Sequence, residues 1–126
     1  MTPLEQQFEA LKAEYRPAEM QMLPAGGAVI TVPDYLLPPG WSHPRTTVTF
    51  VAPVGYPLAK PDCFWALPDL RLQNGSMPQA TNHQPVAGTN GTPQLWFSWH
   101  VGPWNPNRDS LLTYLRVIER RLREPR

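Results

Sequence analysis

The sequence predicts an α+β fold: an antiparallel meander sheet with a helix at each end of the chain. Three observations carry this. Apolar residues recur at helical spacing near both termini. The middle of the chain holds short runs of alternating apolar and polar residues, punctuated by Pro and Gly. The length of 126 residues suits about one domain, residues 1–126, with one core for helices and strands alike.

Residues 3–16 read as the first helix. Leu4, Phe8 and Leu11 share a face that Tyr15 extends. Thr2 is placed to cap it, with Pro3 in the first turn, Glu5 close behind and Pro17 as its stop. That face suits both a core and a docking surface. Residues 18–32 read as two strands joined at Gly26-Gly27. Residues 34–41 read as an apolar, Pro-rich loop whose Leu36, Leu37 and Trp41 fold back onto the body. Residues 45–52 are the clearest strand, with Thr46, Val48, Phe50 and Ala52 on one face. The run Cys63 to Leu67, framed by prolines, fits one short strand. Residues 69–93 read as a long irregular loop, and such loops are often functional. Residues 95–101 are an aromatic strand or plug. The last helix carries a stripe of Leu111, Leu112, Leu115, Ile118 and Leu122, with Asn107 or Asp109 as cap. Its Arg116, Arg120, Arg121 and Arg123 read as a solvated basic end.

Composition narrows the function. Seventeen prolines sit beside Val, Leu, Trp and Tyr, which argues for rigid turns in a folded chain. A net charge of +1 supplies no field toward nucleic acid or membrane. No apolar stretch approaches the ~20 residues of a membrane span, and the polar N-terminus lacks signal-peptide features. A cytoplasmic protein is expected. One cysteine excludes an internal disulfide and a Cys-cluster zinc site, and the three histidines lack metal-ligand spacing. Neither metal nor cofactor is expected. No phosphate-binding loop, dinucleotide turn or paired-carboxylate motif occurs.

Two features bear on chemistry. Cys63 lies in an apolar run with Lys60 nearby, and reads as a buried structural thiol or as a reactive one. Ser98 and His100 are two apart; the imidazole suits a base for the hydroxyl, and the pair equally suits hydrogen bonds anchoring an aromatic loop.

Two blocks carry a resemblance. One is Gly55-Tyr56-Pro57 through Pro61-Asp62-Cys63-Phe64-Trp65. The other runs from Leu95-Trp96-Phe97-Ser98-Trp99-His100 through Trp104-Asn105-Pro106 to Leu111-Leu112-Thr113-Tyr114-Leu115. In order and spacing, over residues 20–122, they resemble prokaryotic E2 family E, a divergent bacterial group of ubiquitin-conjugating-like proteins. The resemblance implies an N-terminal helix, a four-stranded antiparallel meander, a long active-site loop and a C-terminal helix, without the extra C-terminal helices of eukaryotic relatives. It implies a ubiquitin-like protein and its activating enzyme as partners, the enzyme docking on the first helix at Leu4, Phe8, Leu11 and Lys12. It departs from the family of classical conjugating enzymes at the thiol. Counted back from Trp104 that position is Trp96, and counted from Asn90-Gly91 it is near Gln94. The His-Pro-Asn counterpart is His83-Gln84-Pro85.

Three readings follow. Ser98 replaces the thiol and carries the ubiquitin-like protein as an oxyester, with His100 as base and Asn82 or loop amides on the carbonyl. Alternatively the chain binds the same partners without catalysis. Or Cys63 is a displaced nucleophile. Outside the resemblance, a peptide-binding adaptor independent of ATP fits the same composition.

Overall fold

The computed structural model describes residues 1–126. Helix α1 (Pro3–Glu14) opens with a capping box. The Thr2 hydroxyl accepts from the Glu5 N–H at 3.1 Å, and the Glu5 carboxylate accepts from the Thr2 N–H at 3.2 Å. These bonds hold the exposed Glu5 carboxyl below its ordinary range. The helix stops short of Arg16 because a residue preceding proline is pushed out of the α region.

Strands β1 (Glu19–Met22), β2 (Ala28–Leu36), β3 (Arg45–Ala52), β4 (Phe64–Ala66), β5 (Thr81–Gln84) and β6 (Gln94–Phe97) form one sheet ordered β1-β2-β3-β4-β6-β5. Every neighbouring pair is antiparallel. The sheet therefore has six strands where four were expected. The first four are the expected meander. The other two are a hairpin: β5 lies inside the supposed irregular loop 69–93, and β6 takes the strand alternative of the aromatic segment 95–101. Helix α2 (Leu111–Leu122) completes the order. Its N-cap is Ser110, whose N–H donates to the Thr113 hydroxyl at 2.9 Å. Asp109 instead accepts from the Asn105 N–H at 2.7 Å.

Alternation along the strands builds the core. Ala28, Ile30 and Val32 face the helices opposite Ala52, Phe50 and Val48. Phe64 and Phe97 are opposite one another and stack at 4.5 Å. Phe8 and Leu11 of α1, and Leu111, Tyr114, Leu115, Ile118 and Leu122 of α2, close this face. Trp41 and Leu37 fold back as expected, and the Trp41 indole donates to the Leu122 carbonyl at 2.7 Å. Leu36 does not, and stays 66% exposed.

Arg121 overturns the reading of a wholly solvated basic end. It is 1% exposed, lying against the rings of Trp41, Phe97 and Trp99. The other sheet face is crossed by the connection between β5 and β6. Its Val86, Thr89, Gly91 and Thr92 enclose, with Thr31, Thr47 and Thr49 among others, a cleft of about 330 Å³. Gly88 sits where a Cβ would come within 2.9 Å of Leu23, at a φ of +79°. No helix is long and apolar enough to cross a membrane.

Ile118, with no exposed surface, is a direct probe of the core. Ile118→Ala is expected to lower stability by about 2 to 5 kcal/mol in urea unfolding. Burial also holds the phenols of Tyr35, Tyr56 and Tyr114 protonated well above their ordinary range. Above pH ~10 the unfolded chain releases protons that the folded chain keeps. Stability from this source is therefore complete below that pH and falls above it. Alkaline unfolding monitored by phenolate absorbance is expected to show these phenols ionising together with loss of structure.

Candidate functional site

The site forms where β4 and β6 end. Both strands present Phe64 and Phe97 to the core, then leave the ladder at Cys63 and Ser98. Two backbone bonds continue the pairing. The Cys63 N–H donates to the Trp99 carbonyl at 3.1 Å, and the Ser98 N–H donates to the Ala80 carbonyl at 2.8 Å. Ser98 thus lies between two non-glycine residues in the left-handed region, Cys63 at φ +63° and Ala80 at φ +60°. Backbone held in that region carries strain of about 1 to 3 kcal/mol per residue, tolerated where surrounding contacts enforce it.

Those contacts come from the core. The Tyr114 hydroxyl, on α2, donates to the carbonyls of Cys63 at 2.7 Å and Trp99 at 3.2 Å. The Lys60 ammonium reaches the Val101 carbonyl at 3.5 Å. The Trp104 indole donates to the Pro57 carbonyl at 2.8 Å, and the Tyr56–Pro57 peptide beside it is cis. The Tyr56 hydroxyl bonds to the Gln7 side-chain oxygen, which also accepts from the Leu111 N–H at 3.2 Å. So the Gly-Tyr-Pro segment, the Trp104 loop and the starts of both helices are tied together.

The structure supplies a group that sequence reasoning missed. The His100 imidazole hydrogen-bonds through Nδ1 to the Asp62 carboxylate. An accepting carboxylate fixes the proton on Nδ1 and leaves Nε2 free as a base. The only signal for Asp62 in the sequence was its place next to Cys63. Both side chains are 59% exposed. The Cys63 sulfur joins them, with ligand-type atoms of Asp62, Cys63 and His100 all within 4.8 Å of one another. These are also the residues suited to hold a metal ion. The thiol itself is raised above its ordinary range, first by burial, with the Asp62 charge acting the same way against hydrogen bonds from Trp99 and Trp96.

Other expected site residues scatter. Ser98 is half-buried and its hydroxyl makes no hydrogen bond. Asn82 pairs with Trp96 across β5 and β6, and its side-chain oxygen accepts from the His83 N–H at 2.8 Å. His83 contacts the Pro68 carbonyl at 2.9 Å, away from His100 in register. On α1, Phe8 and Leu11 belong to the core and Leu4 packs against it, so Lys12 alone of the four expected docking residues is exposed. A cleft of about 550 Å³ between the ends of α1, β2 and α2 shares no residue with the site.

A raised, 7% exposed thiol is a slow nucleophile. Iodoacetamide is expected to alkylate Cys63 far more slowly in the folded protein than in urea, with the pH midpoint of the native reaction above that of a free thiol.

The family model described as prokaryotic E2 family E matches residues 10–125. No curated protein and no solved structure matches the chain. The chain belongs to prokaryotic E2 family E, and with it to proteins of ubiquitin-conjugating-like role that work with ubiquitin-like proteins and their activating enzymes.

Proposed function

We propose that this member of prokaryotic E2 family E accepts the C-terminal carboxyl of a ubiquitin-like protein on Ser98 as an oxyester, with His100 as the base. The observation that carries the reading is the Asp62–His100 pair at the end of β6, two residues from Ser98. A serine hydroxyl is a weak nucleophile until a base removes its proton, and such a base needs a partner to orient it. Asp62 is that partner. In the transfer, Ser98 Oγ attacks the activated carbonyl borne by the activating enzyme, its proton passes to His100 Nε2, and the bond to the enzyme's leaving group breaks. Asp62 stabilises the imidazolium that forms. The activating enzyme docks on the outer side of α1, reading Lys12 and the edge of Leu4 while Phe8 and Leu11 support the helix from beneath.

One observation favours a second reading. The Cys63 sulfur lies within 4.8 Å of the Asp62 and His100 ligand atoms, so the same base serves a thiol. Its burial and raised pKa count against it as the resting nucleophile. A third reading keeps the fold for binding alone.

Intact mass after incubation with the activating enzyme, the ubiquitin-like protein and ATP separates the three. A covalent adduct is expected that survives dithiothreitol, is cleaved by hydroxide, persists in Cys63→Ala and is lost in Ser98→Ala. His100→Gln and Asp62→Asn are expected to slow its formation by about 100-fold or more and about tenfold respectively. An adduct lost only in Cys63→Ala and cleaved by thiol moves the chemistry to sulfur. A stable complex on gel filtration with no adduct leaves a binding protein.

A further inference from the structure

Arg121 stands out among the polar groups outside the Asp62–His100 pair. It is a charged side chain 1% exposed, and no Asp or Glu side chain pairs with it. Removing a guanidinium from water is costly unless its donors are satisfied, so its position needs a reason. Its donors go to three backbone carbonyls: Glu124 at 2.8 Å, Arg126 at 2.9 Å and Gln79 at 3.0 Å. Its plane lies 5.5 Å from the Trp99 ring centre and 5.2 Å from that of Phe97. Arg126 stacks on Trp99 as well, at 5.6 Å, and holds the Gln79 side chain at 2.9 Å.

Three of these partners, Gln79, Trp99 and Phe97, adjoin the site. Gln79 precedes Ala80, whose carbonyl takes the Ser98 N–H. Trp99 follows Ser98 and receives the Cys63 N–H. Phe97 precedes Ser98. Arg121 therefore contacts the chain on both sides of Ser98, through one hydrogen bond to Gln79 on the β5 side and through the Phe97 and Trp99 rings on the β6 side. A planar fork of five donors spans such a set of carbonyls and rings; an ammonium on a flexible stem does not.

We propose that Arg121 is a positioning residue for the Ser98–His100 segment, locking the left-handed turn at Ala80 and the Trp99 plate so that the hydroxyl and the base keep one geometry. The proposal rests on the Ser98 reading for its catalytic meaning, while the grip itself is measurable without any activity. In transfer, a small misplacement of nucleophile and base costs rate more than affinity.

Arg121→Lys keeps the charge and loses the fork. Its Ser98 and Cys63 amides are expected to exchange with deuterium about tenfold faster or more, while Ile30 and Phe50 keep their protection. Adduct formation is expected to slow by about tenfold at saturating partners, with the affinity for the ubiquitin-like protein and activating enzyme unchanged. Unchanged exchange at Ser98, or an equal loss of protection across β2 and β3, overturns the proposal. If Arg121→Lys does not fold, Trp99→Leu removes the plate at a half-exposed position and the same local rise at Ser98 is required. Should the wild-type protein form no adduct, the Ser98 reading fails and the exchange result still decides the role of Arg121.

Discussion

A buried hydroxyl must find an acceptor, and here that requirement links the core to the surface. Tyr114 has no exposed area and packs against Phe50 with ring centres 5.3 Å apart. Its ring contributes to the core as any large apolar group does, but leaving its oxygen unpaired would cost about 1 to 3 kcal/mol. The acceptors it reaches are the carbonyls of Cys63 and Trp99, where β4 and β6 part. So the helix that closes the core also sets the separation of the two chain segments that carry Cys63 and Ser98. That end of the sheet is an extension of the helix–sheet contact.

The same logic explains why polar groups around the site are shared in chains. Gln7 serves the Tyr56 hydroxyl and the Leu111 N–H with one oxygen. Arg121 serves three carbonyls at once. In an interior with few water molecules, each such hub removes several desolvation penalties together. The proline-rich connections suit this arrangement. A proline lacks an N–H to satisfy and loses little backbone freedom on ordering.

What the sequence disclosed follows the strength of local signals. The Thr2 cap, the Gly26-Gly27 hairpin and the alternating face of β3 are decided within a few residues, and all three stand as expected. The aromatic segment of β6 was legible as a strand or a plug, but β5 escaped, because its pairing is read across a connection of polar, Gly-rich residues and because, with its Asn and His exposed, it lacks apolar alternation. Arg121 escaped for a different reason. Helical spacing puts it in the stripe with Tyr114 and Ile118, but a charge at such a position reads as surface until its partners, 42 residues earlier at Gln79, are known. Asp62 is the same case: its partner His100 is 38 residues away, and neither residue announces the other. Ser98 and His100 were legible as a motif, while the contact of His100 with Asp62 belonged to tertiary structure.

The strap from Pro85 to Pro93 gives the sheet two faces with separate fates. The inner face is bound to the helices and can change only by coordinated repacking. The outer face, with Thr31, Thr47 and Thr49 half-covered, meets the solvent through Val86, Thr89 and Thr92. Any protein approaching from that side touches the strap before it touches the sheet. Residues of the strap are anchored chiefly at its ends, by β5 and β6, and by the close passage of Gly88 over Leu23. Gly88 is held to glycine by that passage, while exposed strap positions such as Ala87 and Asn90 are free to vary at little cost to folding, so the surface on this side can change while the frame beneath it stays the same.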